Sequence, residues 1–168
     1  MFFADISDYR KTQNWLPIIA ATVFCDAMFI ALFNKSSAFP NINRWYTQFG
    51  LSAVIADVTI ILIAIGIAQY VYNGMPWNPA KFLAVCIFVQ IVHDILYYFA
   101  LVLPFPDKKN SLIDFMKVYG REGGVVPIIG DSILVGTIVI LAMLLASLPQ
   151  HVSIAVLLCA VYIIPYAL

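Results

Sequence analysis

Four carboxylates stand where carboxylates are costly. Asp26, Asp57, Asp94 and Asp131 each interrupt a long apolar run, one to a run, and none of these runs contains a Lys or Arg. An aspartate near the middle of a membrane span costs roughly 2.5–3.5 kcal/mol. Four of them facing acyl chains would cost on the order of 10 kcal/mol, so they are expected to point inward, toward one another or toward water. His93, beside Asp94, is the one side chain at that depth able to become cationic. Four carboxylates against a single imidazolium cannot all be ionised in a dry interior, so they must hold protons, be solvated or bind a cation. Gln90 lies one turn before Asp94 on the same helix face, and Ser132 follows Asp131. The predicted intramembrane polar layer is therefore Asp26, Asp57, Gln90, His93, Asp94, Asp131 and Ser132.

Three kinds of chemistry fit such a layer. It can be hydrogen-bonded glue that fixes which helices pair, a proton or cation pathway, or a metal or catalytic cluster. The third has the least support, because one His among scattered acids matches no ligand spacing. The chain carries no nucleophile motif, no Gly-rich phosphate loop and no H-E-x-x-H. No enzyme is expected, and no catalytic residue, metal or cofactor is assigned.

The elements that must position these acids follow from composition. The chain has 168 residues, of which 63% are hydrophobic and 11% charged, with Lys plus Arg equal to Asp plus Glu. Average soluble domains are roughly 25% charged, so lipid must be the solvent for most of this chain. Zero net charge also argues against a nucleic-acid partner. Five apolar runs cover about 15–33, 51–72, 82–103, 125–146 and 152–168. About 20 apolar residues span the hydrocarbon as a helix, and the absence of period-2 alternation excludes a barrel. The expected fold is an all-α membrane protein: one domain over 1–168, a bundle of about five transmembrane helices, with no detectable repeat. At a rise of about 1.5 Å per residue, all four aspartates fall roughly 9–14 Å below the surface that carries the long loops.

Short turns at 73–79 and 148–151 make antiparallel neighbours of the spans they join. The longer connections lie on the other side. In one, Trp45 and Tyr46 suit the headgroup layer. In the other, a short interfacial helix lies between spans three and four, with Ser111 as its cap and Leu112, Phe115, Met116 and Tyr119 on one face, Asp114 and Lys117 on the other; the apolar face suits the headgroup layer or, equally, packing on the end of the bundle. Gly120 and Gly124 have the spacing of a packing motif, but their place in this connection argues against that role. Lys35, Arg44, Lys108, Lys109, Lys117 and Arg121 outnumber Arg10, Lys11 and Lys81, which places the long loops and the C-terminus in the cytoplasm. Cys25, Cys86 and Cys159 read as buried small hydrophobes. The first run reads as a retained span rather than a cleaved leader, although Ser36-Ser37-Ala38 faintly imitates a cleavage site. The sequon Asn34-Lys35-Ser36 is discounted, because this topology places it at the cytoplasmic surface.

Three stretches carry a resemblance: Val89-Gln90-Ile91-Val92-His93-Asp94-Ile95-Leu96-Tyr97-Tyr98, then Asp114-Phe115-Met116-Lys117-Val118-Tyr119-Gly120, then Ile128-Ile129-Gly130-Asp131-Ser132. In this order they resemble small polytopic membrane proteins encoded by large DNA viruses of algae and related giant viruses. The likeness runs from span three through span four and does not reach the first span. It implies a non-enzymatic structural protein of the lipid membrane beneath an icosahedral capsid, or otherwise of a host cell membrane. It places His93, Asp94 and Asp131 in the family pattern without giving them a role. On this reading Trp45, Tyr46, Lys108, Lys109, Phe115, Lys117 and Arg121 meet headgroups or a partner. The bilayer is the first partner; minor capsid proteins and further copies of the chain are the other candidates. The alternative is a proton or cation channel or transporter built on the aspartates.

Overall fold

Backbone polar groups surrounded by lipid must be satisfied within their own segment, which leaves the helix as the solution for runs of this composition. The computed structural model describes residues 3–33 and 40–168, and every regular element among them is helical. Among the described residues five helices are long and apolar enough to cross a membrane. They are α1 (Trp15–Phe33), α3 (Leu51–Tyr72), α4 (Pro79–Leu96, continued by a π-helical segment Tyr97–Val102), α6 (Val126–Ala146) and α7 (Gln150–Ala167). Two shorter helices, α2 (Pro40–Phe49) and α5 (Ser111–Gly123), join α1 to α3 and α4 to α6.

The span boundaries follow the apolar runs closely, with local chemistry setting the differences. Helix α4 starts three residues early because Asn78 caps it, accepting from the Lys81 amide, with Pro79 as its first residue. Helix α5 is capped by Asn110, not Ser111: the Asn110 side chain accepts from the Leu112 and Ile113 amides. The Asp114 carboxylate turns instead to the Lys108 amide. The connection before α3 is a helix as well, with Ile42, Trp45, Tyr46 and Phe49 on its inner face. Cys25 and Cys86 are buried, but Cys159 lies on the outer face of α7. Lys35, the sequon and Ser36-Ser37-Ala38 fall outside the described residues.

The four acid-bearing spans close into a ring. Helix α1 packs on α3, α3 on α4, α4 on α6, and α6 back on α1; α7 lies outside, against α1 and α6. The ring has an internal twofold pattern that the sequence had hidden. Each half runs span, amphipathic helix, glycine, span (α1–α2–Gly50–α3, then α4–α5–Gly124–α6). Both glycines have positive φ, with φ 50° and ψ −129° at Gly50 and φ 55° and ψ −119° at Gly124. That corner suits glycine alone. Asp57 and Asp131 each stand seven residues beyond their glycine (50 to 57, 124 to 131). No letter-by-letter similarity accompanies this repeat; it survives as helix order, corner geometry and acid register.

The ends of the ring differ. At the tight-turn end the N-terminal segment folds back into the bundle. Ile6 is fully buried, its carbonyl accepts from Gln69 Nε2 at 2.6 Å, and the Ala4 amide donates to the Met143 carbonyl. Beneath it Tyr72 packs edge to face on Trp77 and Phe82, whose own rings meet at a tilt. The Tyr72 hydroxyl pins the turn by donating to the Pro76 carbonyl and accepting from the Asn78 amide. A continuous apolar core joins this plug to the middle of α1, α3, α4 and α6.

Candidate functional site

At the opposite end, beneath α2 and α5, the ring encloses a cavity of about 620 Å³. Asp26 from α1, Asp57 from α3, Asp94 from α4 and Asp131 from α6 all line it, together with Gln90 and His93. Among the described residues the wall contains no Lys or Arg and is otherwise mostly apolar and aromatic. The register explains the convergence: each acid sits near the α2/α5 end of its own helix, and antiparallel neighbours bring those ends together.

The acids are held differently. Asp57 Oδ2 accepts from Trp45 Nε1 and from the Tyr46 hydroxyl, both at 2.9 Å, so α2 is hung from α3 by two donors on one carboxylate oxygen. Asp94 Oδ1 receives Gln90 Nε2 at 2.8 Å and lies 3.1 Å from His93 Nδ1. Asp94 Oδ2 and Gln90 Oε1 are buried without a partner. The His93 ring stacks on Tyr97. Asp26 is fully buried, and neither of its oxygens has a hydrogen-bond partner. Such a group is costly unless something else meets it. Among the described residues no three His, Cys, Asp or Glu side chains are grouped closely enough to hold a metal ion.

The roof consists of aromatic side chains. Phe115 packs against Trp45 and Phe49, with Tyr119 stacked beyond it. Burial first, then the carboxylates of Asp57 and Asp26, holds the Tyr46 phenol far above its ordinary range. Burial, then Asp131, does the same for Tyr119. Both phenols therefore remain protonated, and Tyr46 stays a donor to Asp57. Within the π-segment the Leu103 amide reaches back to the Tyr98 carbonyl. The Tyr98 ring then lies on Gly120, where an added Cβ would come within 2.3 Å of it. Gly120 thus makes room for the Tyr98 ring, while Gly124 has nothing near it, so the pair does not act as a helix-packing motif.

Several sequence-derived site residues are placed otherwise than expected. Trp45, Tyr46 and Phe115 are buried in the roof rather than spread into headgroups. Lys117 is only 15% exposed; its ammonium meets Asp107 and the Phe105 carbonyl, clamping the loop before α5. Ser132 stays out of the polar layer, because its hydroxyl donates to the Ile128 carbonyl of its own helix. Lys108, Lys109 and Arg121 are exposed. The sequence reading missed the link from α2 to Asp57, the π-segment and the role of Gly120. The i, i+3, i+4, i+7 spacing of Ile42, Trp45, Tyr46 and Phe49 was the available signal for the first. The other two had none at the level of one sequence. Comparison with known proteins leaves this geometry standing alone: no family model, no curated protein and no solved structure matches the chain.

Proposed function

We propose that this is a non-enzymatic multi-pass membrane protein whose acidic chamber takes up a cation from one side of the bundle. The observation that carries this reading is that all four intramembrane carboxylates face one cavity whose wall, among the described residues, has no Lys or Arg. A chamber so lined must be neutralised by protons or by a cation, and one can be exchanged for the other. The apolar plug at the far end speaks for uptake and release on one side rather than continuous conduction. The resemblance to giant-virus membrane proteins supports an internal viral membrane as the setting. A second reading, attachment to capsid proteins, is favoured by the outward-facing Lys108, Lys109 and Arg121 around α5.

Trp45 provides the test. With Trp15→Phe and Trp77→Phe it becomes the sole tryptophan, and its indole donates to Asp57. In nanodiscs its emission is expected to change saturably as methylammonium or alkali chloride is added, and to stop responding in an Asp26→Asn/Asp131→Asn variant. A flat response to every cation contradicts uptake. Absence of the protein from mass spectra of purified particles contradicts the viral setting.

A further inference from the structure

The wall of the chamber also indicates what kind of cation fits. Its unpartnered buried polar atoms are Asp26 Oδ1, Asp26 Oδ2, Asp94 Oδ2 and Gln90 Oε1, and all four are acceptors. A ligand that completes them must bring donors, and an ammonium brings three N–H groups on one positive centre. The remaining wall is apolar, and part of it reaches the outside of the bundle. Phe99 on the π-segment is 64% exposed and Val125, just before α6, is 67% exposed, yet both line the cavity, as does the exposed Ile95. These are bulky apolar side chains, suited to acyl chains rather than to water. The rim between the π-segment and the start of α6 therefore opens sideways, toward lipid. Tyr98, resting on Gly120, stands in the same wall. A π-segment at this position fits a functional rim, where such irregularities concentrate.

We propose that the chamber's ligand is a membrane-dissolved lipophilic primary amine. It passes between the π-segment and α6, sets its ammonium among the chamber carboxylates, and leaves its chain along Ile95, Phe99 and Val125. This rests on the cation-uptake reading above and adds the ligand class and the route.

The test uses the full chain in nanodiscs, with Trp45 emission as the signal. Dodecylammonium, methylammonium, rubidium and dodecanol are titrated in parallel against empty discs and discs holding the Asp26→Asn/Asp131→Asn variant. Dodecylammonium should saturate at a concentration at least about tenfold below methylammonium, since each methylene favours the membrane phase, while dodecanol stays silent. Phe99→Trp is unsuitable because it adds a fluorophore, so Val125→Phe and Ile95→Phe are used to narrow the rim. They should slow dodecylammonium association several-fold and leave the methylammonium midpoint unchanged. Equal midpoints for dodecylammonium, methylammonium and rubidium, or a response to dodecanol as strong as to the amine, overturn the lipophilic amine but not cation uptake. Silence from every cation overturns both. Rim variants that bind dodecylammonium at the original rate overturn the lateral route. Helical circular dichroism equal to wild type is required of each variant, and Asp26→Glu, which keeps the charge, should retain the response that Asp26→Asn loses.

Discussion

The two ends of the four-helix ring are built from the same helices and solve opposite problems. At the tight-turn end the polar side chains mostly serve the backbone: Gln69 Nε2 holds Ile6, Tyr72 holds its own turn, and aromatic rings fill the remainder, with Gln69 Oε1 and Trp77 Nε1 buried without a partner. At the α2/α5 end, four carboxylates line one cavity, and both Asp26 oxygens and Asp94 Oδ2 are left without donors. One end spends its side chains on packing. The other keeps charge and volume that packing alone would have removed, which is how functional sites differ from cores. Apolar substitution of buried ionic groups is often neutral or stabilising, so a merely structural layer had a simpler solution available.

That contrast can be broken first at the closed end. Phe82→Ala removes a fully buried ring between Tyr72 and Trp77 and should cost about 3–5 kcal/mol. A large drop in the melting temperature in detergent is expected, and a drop of only a degree or two would mean that this end is not the stabilising one. Next comes the link from α2 to α3. Trp45→Phe together with Tyr46→Phe strips both donors from Asp57 and should cost about 1–3 kcal/mol for each donor lost. Hydrogen exchange in α2 reads the effect, with the amides of residues 40–49 losing protection while those of α7 keep theirs. The corners are third. Gly50→Ala or Gly124→Ala forces a β-carbon into positive φ at about 1–3 kcal/mol. Similar losses from both would sharpen the twofold pattern, whereas a loss from one alone would break it.

The chamber end should respond in the other direction. Asp26→Leu removes a fully buried, unpartnered carboxylate, so stability should stay within about 1 kcal/mol of wild type or rise, while the cation response disappears. A loss as large as that of Phe82→Ala would mean that Asp26 is structural glue. The smallest effect is at the loop before α5. The hydrogen bond from Lys117 holds the Asp107 carboxyl below its ordinary value. A group lowered on folding contributes above its unfolded pKa, about 3.9 for aspartate. The contribution is lost as pH falls through the lower folded value. Acidification below about pH 4 should therefore loosen the amides of residues 105–110, and Lys117→Met should loosen them already at neutral pH.

Much of the architecture was legible because lipid imposes a coarse code. Span length, the lack of alternation and two tight turns specify five antiparallel helices, and the acids announce themselves by being out of place. The apolar face of α5 was legible from Leu112, Phe115, Met116 and Tyr119, but its direction was not; of the two placements open to it, headgroup layer or bundle end, these residues take the second and line the chamber. The roles of Trp45, Tyr46 and Lys117 were not. Residue type alone suits aromatics to an interface and lysine to water, and only tertiary partners, Asp57 and Asp107, reverse both preferences. Ser132 was misplaced for a related reason: a serine inside an apolar helix has its own i−4 carbonyl always within reach. The twofold repeat was hidden because its content is a backbone corner and a register of seven, not shared letters.

The most direct measurement is anomalous diffraction from crystals of the full chain soaked with ω-brominated dodecylammonium. One bromine peak is expected beside the rim formed by Ile95, Phe99 and Val125, joined by continuous density to an ammonium among the chamber carboxylates. An ordered amine elsewhere on the bundle, with the chamber holding only solvent, would contradict the claim that four carboxylates converge there to receive a cation.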